Sequence, residues 1–421
     1  MKGYYLWTVG CQMNKAESLR LAQGLEALGY HQVPQPEQAD FIVLNSCTVR
    51  QKAEDRVVAR LSSLRFLKRG REATLILMGC MVDSNLQELQ QRFPYVDSFV
   101  RPGDIQTVLR LAGLTGSEDR VDLISPSLAD ISAYVPIAQG CDKFCAYCIV
   151  PYRRGRERSR EVAEVVEEVK CLVARGTKEV ILLGQNVDSY GHDLPDKPDL
   201  AYLLEELEPI PGLERIRFLT SHPKDMNQRL IQAVTRLPKV CEHINLPLQS
   251  GDNAILGAMG RGYTREEYVH LVEHIRAAIP QVALSTDVIV GFPGEGEERF
   301  HNTIELLEET RFDTVHVAAY SPRPGTRAAR LPDDVPPLVK RERRERVEQL
   351  QERTASLINA QYLGRQLSVL VEGKKGGKWW GRTPSYKQVF FSAPGELLGK
   401  IVAVEIEKSG PWSLQGSLVG Y

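Results

Sequence analysis

Six of the eight cysteines fall into two sets of three, each suited to an iron–sulfur cluster. Cys141, Cys145 and Cys148 form a tight C-x3-C-x2-C run, CDKFCAYC. Cys11, Cys47 and Cys80 lie far apart, yet each ends an apolar strand-like run: YYLWTVGC, FIVLNSC and TLILMGC. Three thiolates hold a four-iron cluster and leave one iron for a ligand other than a protein side chain. Two such irons point to chemistry at both centres. Structural zinc usually takes four ligands, often from two paired knuckles, and a second C-x2-C is missing here. Cys171, on a helix beside its apolar face, and Cys241, just before a strand, read as structural.

The elements that must position these thiols alternate strand and helix. Strands are expected at Tyr4–Val9, Phe41–Asn45, Thr74–Met78 and Ser98–Val100, with helices over SLRLAQGLEALGY and from about Ala53 to Lys68. This alternation predicts a doubly wound parallel sheet, in which ligands sit beyond the carboxyl ends of the strands. Cys11, Cys47 and Cys80 all occupy that edge. Six further strands are expected at Val135–Gln139, Glu179–Leu183, Arg215–Thr220, His243–Leu248, Val282–Val290 and Thr314–Ala319. Six βα units predict a partial (β/α)6 barrel with its chemistry at the strand carboxyl ends, where CDKFCAYC begins. A charged helix follows, and then short β-like runs (LSVLVEG, KQVFFSA, KIVAVEIEK, SLQGSLVG) that read as a small β-barrel. The expected organisation is an amino-terminal domain over 1–117, a linker over 118–133, the barrel over 134–335, a linking helix over 336–362 and the small barrel over 363–421.

Composition is that of a globular chain, 43% hydrophobic and 25% charged, and 421 residues exceed what one core usually serves. The net charge of -1 by itself predicts no polyanion partner. From Arg365 onward, however, eight Lys/Arg stand against four Asp/Glu, a local excess of +4. The start, MKGYYLWTVG, lacks the apolar core of a signal peptide, and no stretch is long enough to span a bilayer. A cytoplasmic, reducing environment with no membrane partner is therefore expected, where cysteines serve metals or catalysis.

Other runs carry weaker signals. PYRRGRERSR places five arginines within eight residues, either a solvated charge run or a clamp for phosphate or carboxylate. Tyr147 is a cluster shield, an adenine platform or a plain core aromatic. LLGQNVDSYG, LPLQSGD and VIVGFPGE each put amides or glycines at a strand end. His222 and His316 read as satisfied core or rim histidines. In the tail, Lys374, Lys375, Lys378, Arg382 and Lys387 mix with Trp379, Trp380, Tyr386, Phe390 and Phe391; some of these aromatics must build the barrel core, and the mix still resembles surfaces that bind RNA by phosphate pairing and base stacking.

CDKFCAYC, followed by IVPYRRGRERSR, resembles the radical S-adenosylmethionine (SAM) enzymes, specifically the methylthiotransferases. GCQMN, NSCTVR and GCM are similar to that family's amino-terminal domain, LPLQSGDNAILGAMGRGYTREEY, STDVIVGFPGE and YSPRPGT to its barrel, and the tail to its TRAM domain. The resemblance implies a [4Fe-4S] cluster on Cys141, Cys145 and Cys148 that chelates SAM. It also implies a second [4Fe-4S] cluster on Cys11, Cys47 and Cys80 that carries or delivers sulfur, and a second SAM that supplies the methyl group. GCQMN and VPYRRGRERSR favour the tRNA branch, in which the target is C2 of N6-isopentenyladenosine next to the anticodon. Branches acting on threonylcarbamoyladenosine in tRNA, or on a ribosomal protein side chain, are the alternatives. The implied partners are the tRNA anticodon stem-loop, an electron donor such as flavodoxin or ferredoxin, and a sulfur donor, with the chain a monomer. Gln185, Gln249 and Asp287, at or near strand ends, are the candidates for holding SAM, and Arg153, Arg154 and Arg156 for holding the tRNA backbone or the SAM carboxylate. No acid–base residue is assigned, because the cofactor carries the hard step.

Overall fold

Strands β1 (Gly3–Thr8), β2 (His31–Gln32), β3 (Phe41–Ser46), β4 (Thr74–Gly79) and β5 (Ser98–Val100) pair in parallel in the order β2-β1-β3-β4-β5. They belong to a computed structural model that describes residues 2–48, 51–67, 73–82, 86–115 and 130–420. Alternate residues of β3 and β4 feed two separate cores. Ile42, Leu44, Leu75 and Leu77 pack with Val57, Leu61 and Leu64 of the Gln51–Leu64 helix. Phe41, Val43, Ile76 and Met78 pack with Leu21 and Leu25 of the Gln12–Ala27 helix and Val108 and Leu109 of the Ile105–Leu111 helix. Helices on both faces explain why β3 is buried along its whole length. The winding reverses at β1, with β2 on one side and β3 on the other, so the ligand edge lies between β1 and β3.

The central strands are β6 (Ser132–Pro136), a short antiparallel ribbon of β7 (Ala138–Gln139) and β8 (Arg158–Ser159), then β9 (Glu179–Leu183), β10 (Arg215–Leu219), β11 (His243–Asn245), β12 (Ala283–Val290) and β13 (Thr314–Ala319). Parallel pairing joins β6, β9 and β10, and also β11, β12 and β13. An Ile216–Val240 bridge and the Cys241 N–H donating to Ile216 O at 2.9 Å connect the two sets into a six-stranded partial barrel. Several boundaries differ from expectation. The linker expected over 118–133 falls mostly outside the described residues, but Ser132 and Ala133 belong to β6, drawn in where Ile131 O accepts from Lys178 and Glu179 N–H. That strand ends at Pro136 instead of running to Gln139. β11 stops at Asn245 rather than Leu248, since Pro247 has no N–H to continue the ladder.

Along β9 and β10, Val180, Leu182, Ile216 and Phe218 face the helices of the main core. The alternate residues Ile181, Leu183 and Leu219 face inward, where Met13 and Ala16 of the Gln12–Ala27 helix pack against them. The amino-terminal unit therefore lies against the inner face of the partial barrel, not beside it.

The Pro337–Ala360 helix leads to a closed barrel of β14 (Gln366–Lys375), β15 (Lys378–Arg382), β16 (Gln388–Ser392), β17 (Ile401–Ser409) and β18 (Leu414–Leu418). Four of these strands match the expected runs. β15 is the addition, because KWWGR alternates and sends Trp379 into the core with Val371, Phe391 and Val404. The turn after β15 docks on the large barrel at the starts of its strands. Arg217 donates to Pro384 O and Thr383 O, each at 2.6 Å, and Arg215 to Arg382 O at 2.6 Å. Tyr386 stacks on His243 with ring centroids 4.8 Å apart, and Lys387 pairs with Asp313 at 2.6 Å. Residues 382–387 thus stop the lower mouth of the large barrel. Among the described residues, no helix is long and apolar enough to cross a membrane.

Candidate metal centres

Cys11, Cys47 and Cys80 follow β1, β3 and β4, three neighbouring parallel strands, and so meet at one edge. Their loops are drawn together by Asn14 and Asn45, both fully buried. Asn14 Nδ2 donates to Asn45 Oδ1 at 2.9 Å and Ser46 O at 3.0 Å, while its Oδ1 accepts from Cys11 Sγ at 3.1 Å. Asn45 Nδ2 returns to Asn14 O at 3.0 Å. A Cβ on Gly10 would lie 2.8 Å from Cys47 Cβ, so glycine is what lets the first loop approach the second. Cys47 and Cys11 both act electrostatically on Cys80, whose burial pushes it up to about 12.

The second tripod follows β7. Gly140 turns the chain at φ +84, and a Cβ there would lie 2.1 Å from Arg156 O. Each thiol of this set meets a donor: Lys143 N–H for Cys141 at 3.5 Å, Arg261 Nη1 for Cys145 at 3.4 Å, and Val150 N–H for Cys148. Burial pushes Cys141 up to about 11 and Cys148 to about 12. Neutral thiols do not bind metal, so loading either tripod must expel protons and leave anionic sulfurs. The surroundings suit that charge: Arg154 lies beside Cys80 and Cys11, and Arg261 beside Cys145. Both triads lack a disulfide. Among the described residues, no three His, Cys, Asp or Glu converge on a point that would hold a single ion. A cluster asks for something else, one thiolate on each of three separate irons.

The segment after Cys148 ties the two tripods together. Arg154 of the Val150–Arg154 helix pairs with Glu17 at 2.5 Å, both side chains buried, across the two units. Arg323, from YSPRPGT, donates to Gln51 Oε1 at 3.0 Å and lies 3.7 Å from Glu54. Arg156 holds Asp142 bidentately at 2.6 and 2.9 Å, which keeps that carboxyl below the usual range. A clamp on tRNA phosphate fits Arg154 poorly, since its guanidinium is already committed to Glu17. Gln185 Oε1 accepts from Gly140 N–H at 2.5 Å, so it braces the cysteine loop. Gln249, at φ +72, and Asp287 are joined through their backbones, Gln249 N–H to Asp287 O at 2.8 Å, and Asp287 accepts from Asn245 at 3.2 Å.

The polar network at the upper ends of β9 and β10 is built on two acids, Asp188 and Asp225, that the sequence reading did not single out. Asp225 accepts from Lys143 Nζ at 2.7 Å and Asn186 Nδ2 at 2.6 Å, while Asp188 accepts from Ser221 Oγ at 2.9 Å and His222 N–H at 3.0 Å. The signal was available in the acid of LLGQNVDSYG at a barrel strand end. His222 is buried and burial lowers it to about 3; its Nε2 has no partner among the described residues, so it is not the satisfied histidine expected. His316 is an exposed rim residue. Tyr147 packs against Ala146, Ile255 and Phe292, with its hydroxyl 3.4 Å from Arg261.

Burial raises Asp188 to about 7, outweighing its two donors, and raises Glu157 to about 7 as well. Both values exceed those of the unfolded chain, so the folded state binds extra protons between about pH 4 and 7. This stabilisation is full below the unfolded values and is lost as pH rises through about 7. Thermal melts at pH 5 and pH 8 should show the difference between Asp188→Asn and the parent moving in favour of the variant at the higher pH.

Comparison with known proteins accords with these units. Residues 3–101 match the uncharacterized protein family UPF0004, residues 135–307 the radical SAM superfamily and residues 360–419 the TRAM domain. A tRNA-2-methylthio-N(6)-dimethylallyladenosine synthase from Chloroflexus aurantiacus is 51% identical over 98% of this chain and 91% of its own. One from Dehalococcoides mccartyi is 50% identical over 100% of this chain and 99% of its own. The chain belongs to the tRNA-2-methylthio-N(6)-dimethylallyladenosine synthase family. A radical SAM methyltransferase from Kitasatospora setae, TsrM, solved with cobalamin and a [4Fe-4S] cluster, shares the fold at 13% identity, with a TM-score of 0.57 over 78% of this chain and 74% of that one. Membership of the radical SAM superfamily brings SAM and a [4Fe-4S] cluster to this family. The sequence reading quoted Arg261 within GAMGRGYTREEY but gave it no role, since it is one arginine behind the glycine that ends the Asn253–Met259 helix.

Proposed function

We propose that this chain is a radical SAM transferase that adds a methylthio group to C2 of N6-isopentenyladenosine next to the tRNA anticodon. The observation that carries the reading is the full-length likeness to synthases of that name. We assign Cys141, Cys145 and Cys148 to one [4Fe-4S] cluster, Cys11, Cys47 and Cys80 to a second, and Gln185, Gln249 and Asp287 to the neighbourhood of SAM. The functional units are 1–117, 134–335 and 363–421, joined by 118–133 and the helix over 336–362. When bound, the clusters and SAM supply one-electron chemistry that can activate a C–H bond no ordinary base could ionise.

The chain's own residues position that chemistry. Gly140 and Gln185 fix the start of the CDKFCAYC loop, and Lys143 anchors its middle to Asp225. Arg154 and Glu17 hold the two tripods on facing units, which sets where a nucleoside bound between them would lie. The reading further calls for an electron donor such as flavodoxin or ferredoxin, a sulfur donor, a cytoplasmic setting and a monomeric chain.

Docking of the small barrel narrows the RNA-facing surface from the sequence expectation. Trp379 is core, Lys387 is buried against Asp313, and Arg382 pairs with Glu372. Lys374, Lys375 and Lys378 remain exposed around the β14–β15 turn. Replacing all three by alanine should reduce the slope of log affinity for tRNA against log salt by about two, if each meets a phosphate. An unchanged slope in filter binding would place the RNA elsewhere.

Nucleoside mass spectrometry of tRNA from cells lacking this chain tests the reading. The methylthio group should vanish from isopentenyladenosine and return with the restored gene. Loss from threonylcarbamoyladenosine, or from a ribosomal protein instead, would overturn it.

A further inference from the structure

Arg261 is 5% exposed, and every polar atom of its guanidinium is spent. Nε donates to Tyr263 Oη at 2.9 Å and Nη2 to Pro247 O at 3.0 Å, while Nη1 lies 3.4 Å from both Cys145 Sγ and Tyr147 Oη. None of these partners is a carboxylate. Three other buried arginines differ: Arg154 meets Glu17, Arg217 meets Glu179 and Arg343 meets Glu295. A buried cation with only neutral partners is costly, and a nearby negative charge removes the cost. Arg215 shows that backbone carbonyls can also hold a buried guanidinium, so burial alone does not decide the matter. The deciding contact is Nη1 on Cys145 Sγ, an atom that becomes anionic when it binds iron.

We propose that Arg261 is the counter-ion of the cluster held by Cys141, Cys145 and Cys148 and sets its reduction potential through the hydrogen bond to Cys145 Sγ. The inference rests on the assignment of this tripod to a cluster. Hydrogen bonds to cluster sulfurs and local charge are among the levers that set such potentials. Reduction by an external donor adds one electron and one negative charge beside Arg261, so the guanidinium stabilises the reduced form and raises the potential. Arg261 is a positioning residue: it acts through the thiolate and not on the substrate.

The test is an EPR-monitored redox titration of the full chain carrying Cys11→Ala, Cys47→Ala and Cys80→Ala, so that the signal belongs to one cluster. With Arg261→Met, the ratio of reduced to oxidised cluster at a fixed potential should fall at least tenfold, about 59 mV for a one-electron couple. Arg261→Lys keeps a point charge but loses the planar fork, and should recover at least half of that shift. A fully loaded Arg261→Met protein with an unchanged midpoint overturns the proposal. So does an Arg261→Lys protein that loads iron but recovers none of the shift. If Arg261→Met fails to load, Arg261→Gln takes its place. Failure of all three variants to load leaves Arg261 a structural pillar and overturns the tuning role. A parent chain that binds no four-iron cluster at this tripod sinks the ligand assignment itself, a result visible before any Arg261 variant is made.

Discussion

Replacing Cys145 by alanine is expected to abolish methylthiolation and to lower bound iron from about eight to about four per chain after anaerobic reconstitution. Cys145 is buried and takes the Arg261 hydrogen bond, so the variant removes one leg of the tripod and the anion that faces the guanidinium. On the proposed assignment, the other three cysteines sit at the edge of a different sheet, braced by Asn14 and Asn45, and their iron should remain. Iron and sulfide assays with nucleoside analysis check both halves. Cys241→Ala is the contrast: that thiol is 3% exposed and lies on no tripod, so the variant should lose stability and keep all its iron. Equal iron in the Cys145→Ala and parent proteins would refute the assignment.

The largest structural effect is expected at Arg217. Its Nε meets Glu179 at 2.7 Å, with side chains 0% and 1% exposed, and its other nitrogens grip the 382–387 turn. Arg217→Met leaves the Glu179 carboxylate buried with its cation gone, a loss on the order of 3–5 kcal/mol. Hydrogen exchange at 383–387 should then speed up by about two orders of magnitude or more, because the turn loses its donors as well. Adding Glu179→Gln to Arg217→Met removes the stranded charge and should restore part of the stability, though not the protection of the turn. If the single variant melts like the parent, the docked turn is not held in the way the hydrogen bonds indicate.

These two sites were legible in the sequence to very different degrees. CDKFCAYC is local, so its thiols are together whatever the fold. Cys11, Cys47 and Cys80 could be joined only because strands in a parallel sheet all end on one edge, a rule of topology that the apolar runs before each cysteine were enough to invoke. Arg217 bonds residues 166 and 167 places away, across a domain junction, and no periodicity announces such a contact. The tail was legible only in part, for a related reason. Basic and aromatic residues that look like an RNA surface are the same types that seal an interface, and Lys387, Arg382 and Tyr386 serve the second purpose. The extra strand over Lys378–Arg382 was not among the expected runs, although the inward Trp379 agrees with the expectation that some of these aromatics build the core.

Protein synthesis runs from the amino end, so the six strands of the large barrel leave the ribosome before residues 382–387 exist. During that interval Arg217, Glu179, His243 and Asp313 face water rather than the turn that later covers them. A nascent chain stalled before residue 382 should therefore be open to protease around these strand starts, and become resistant only once the tail has been made.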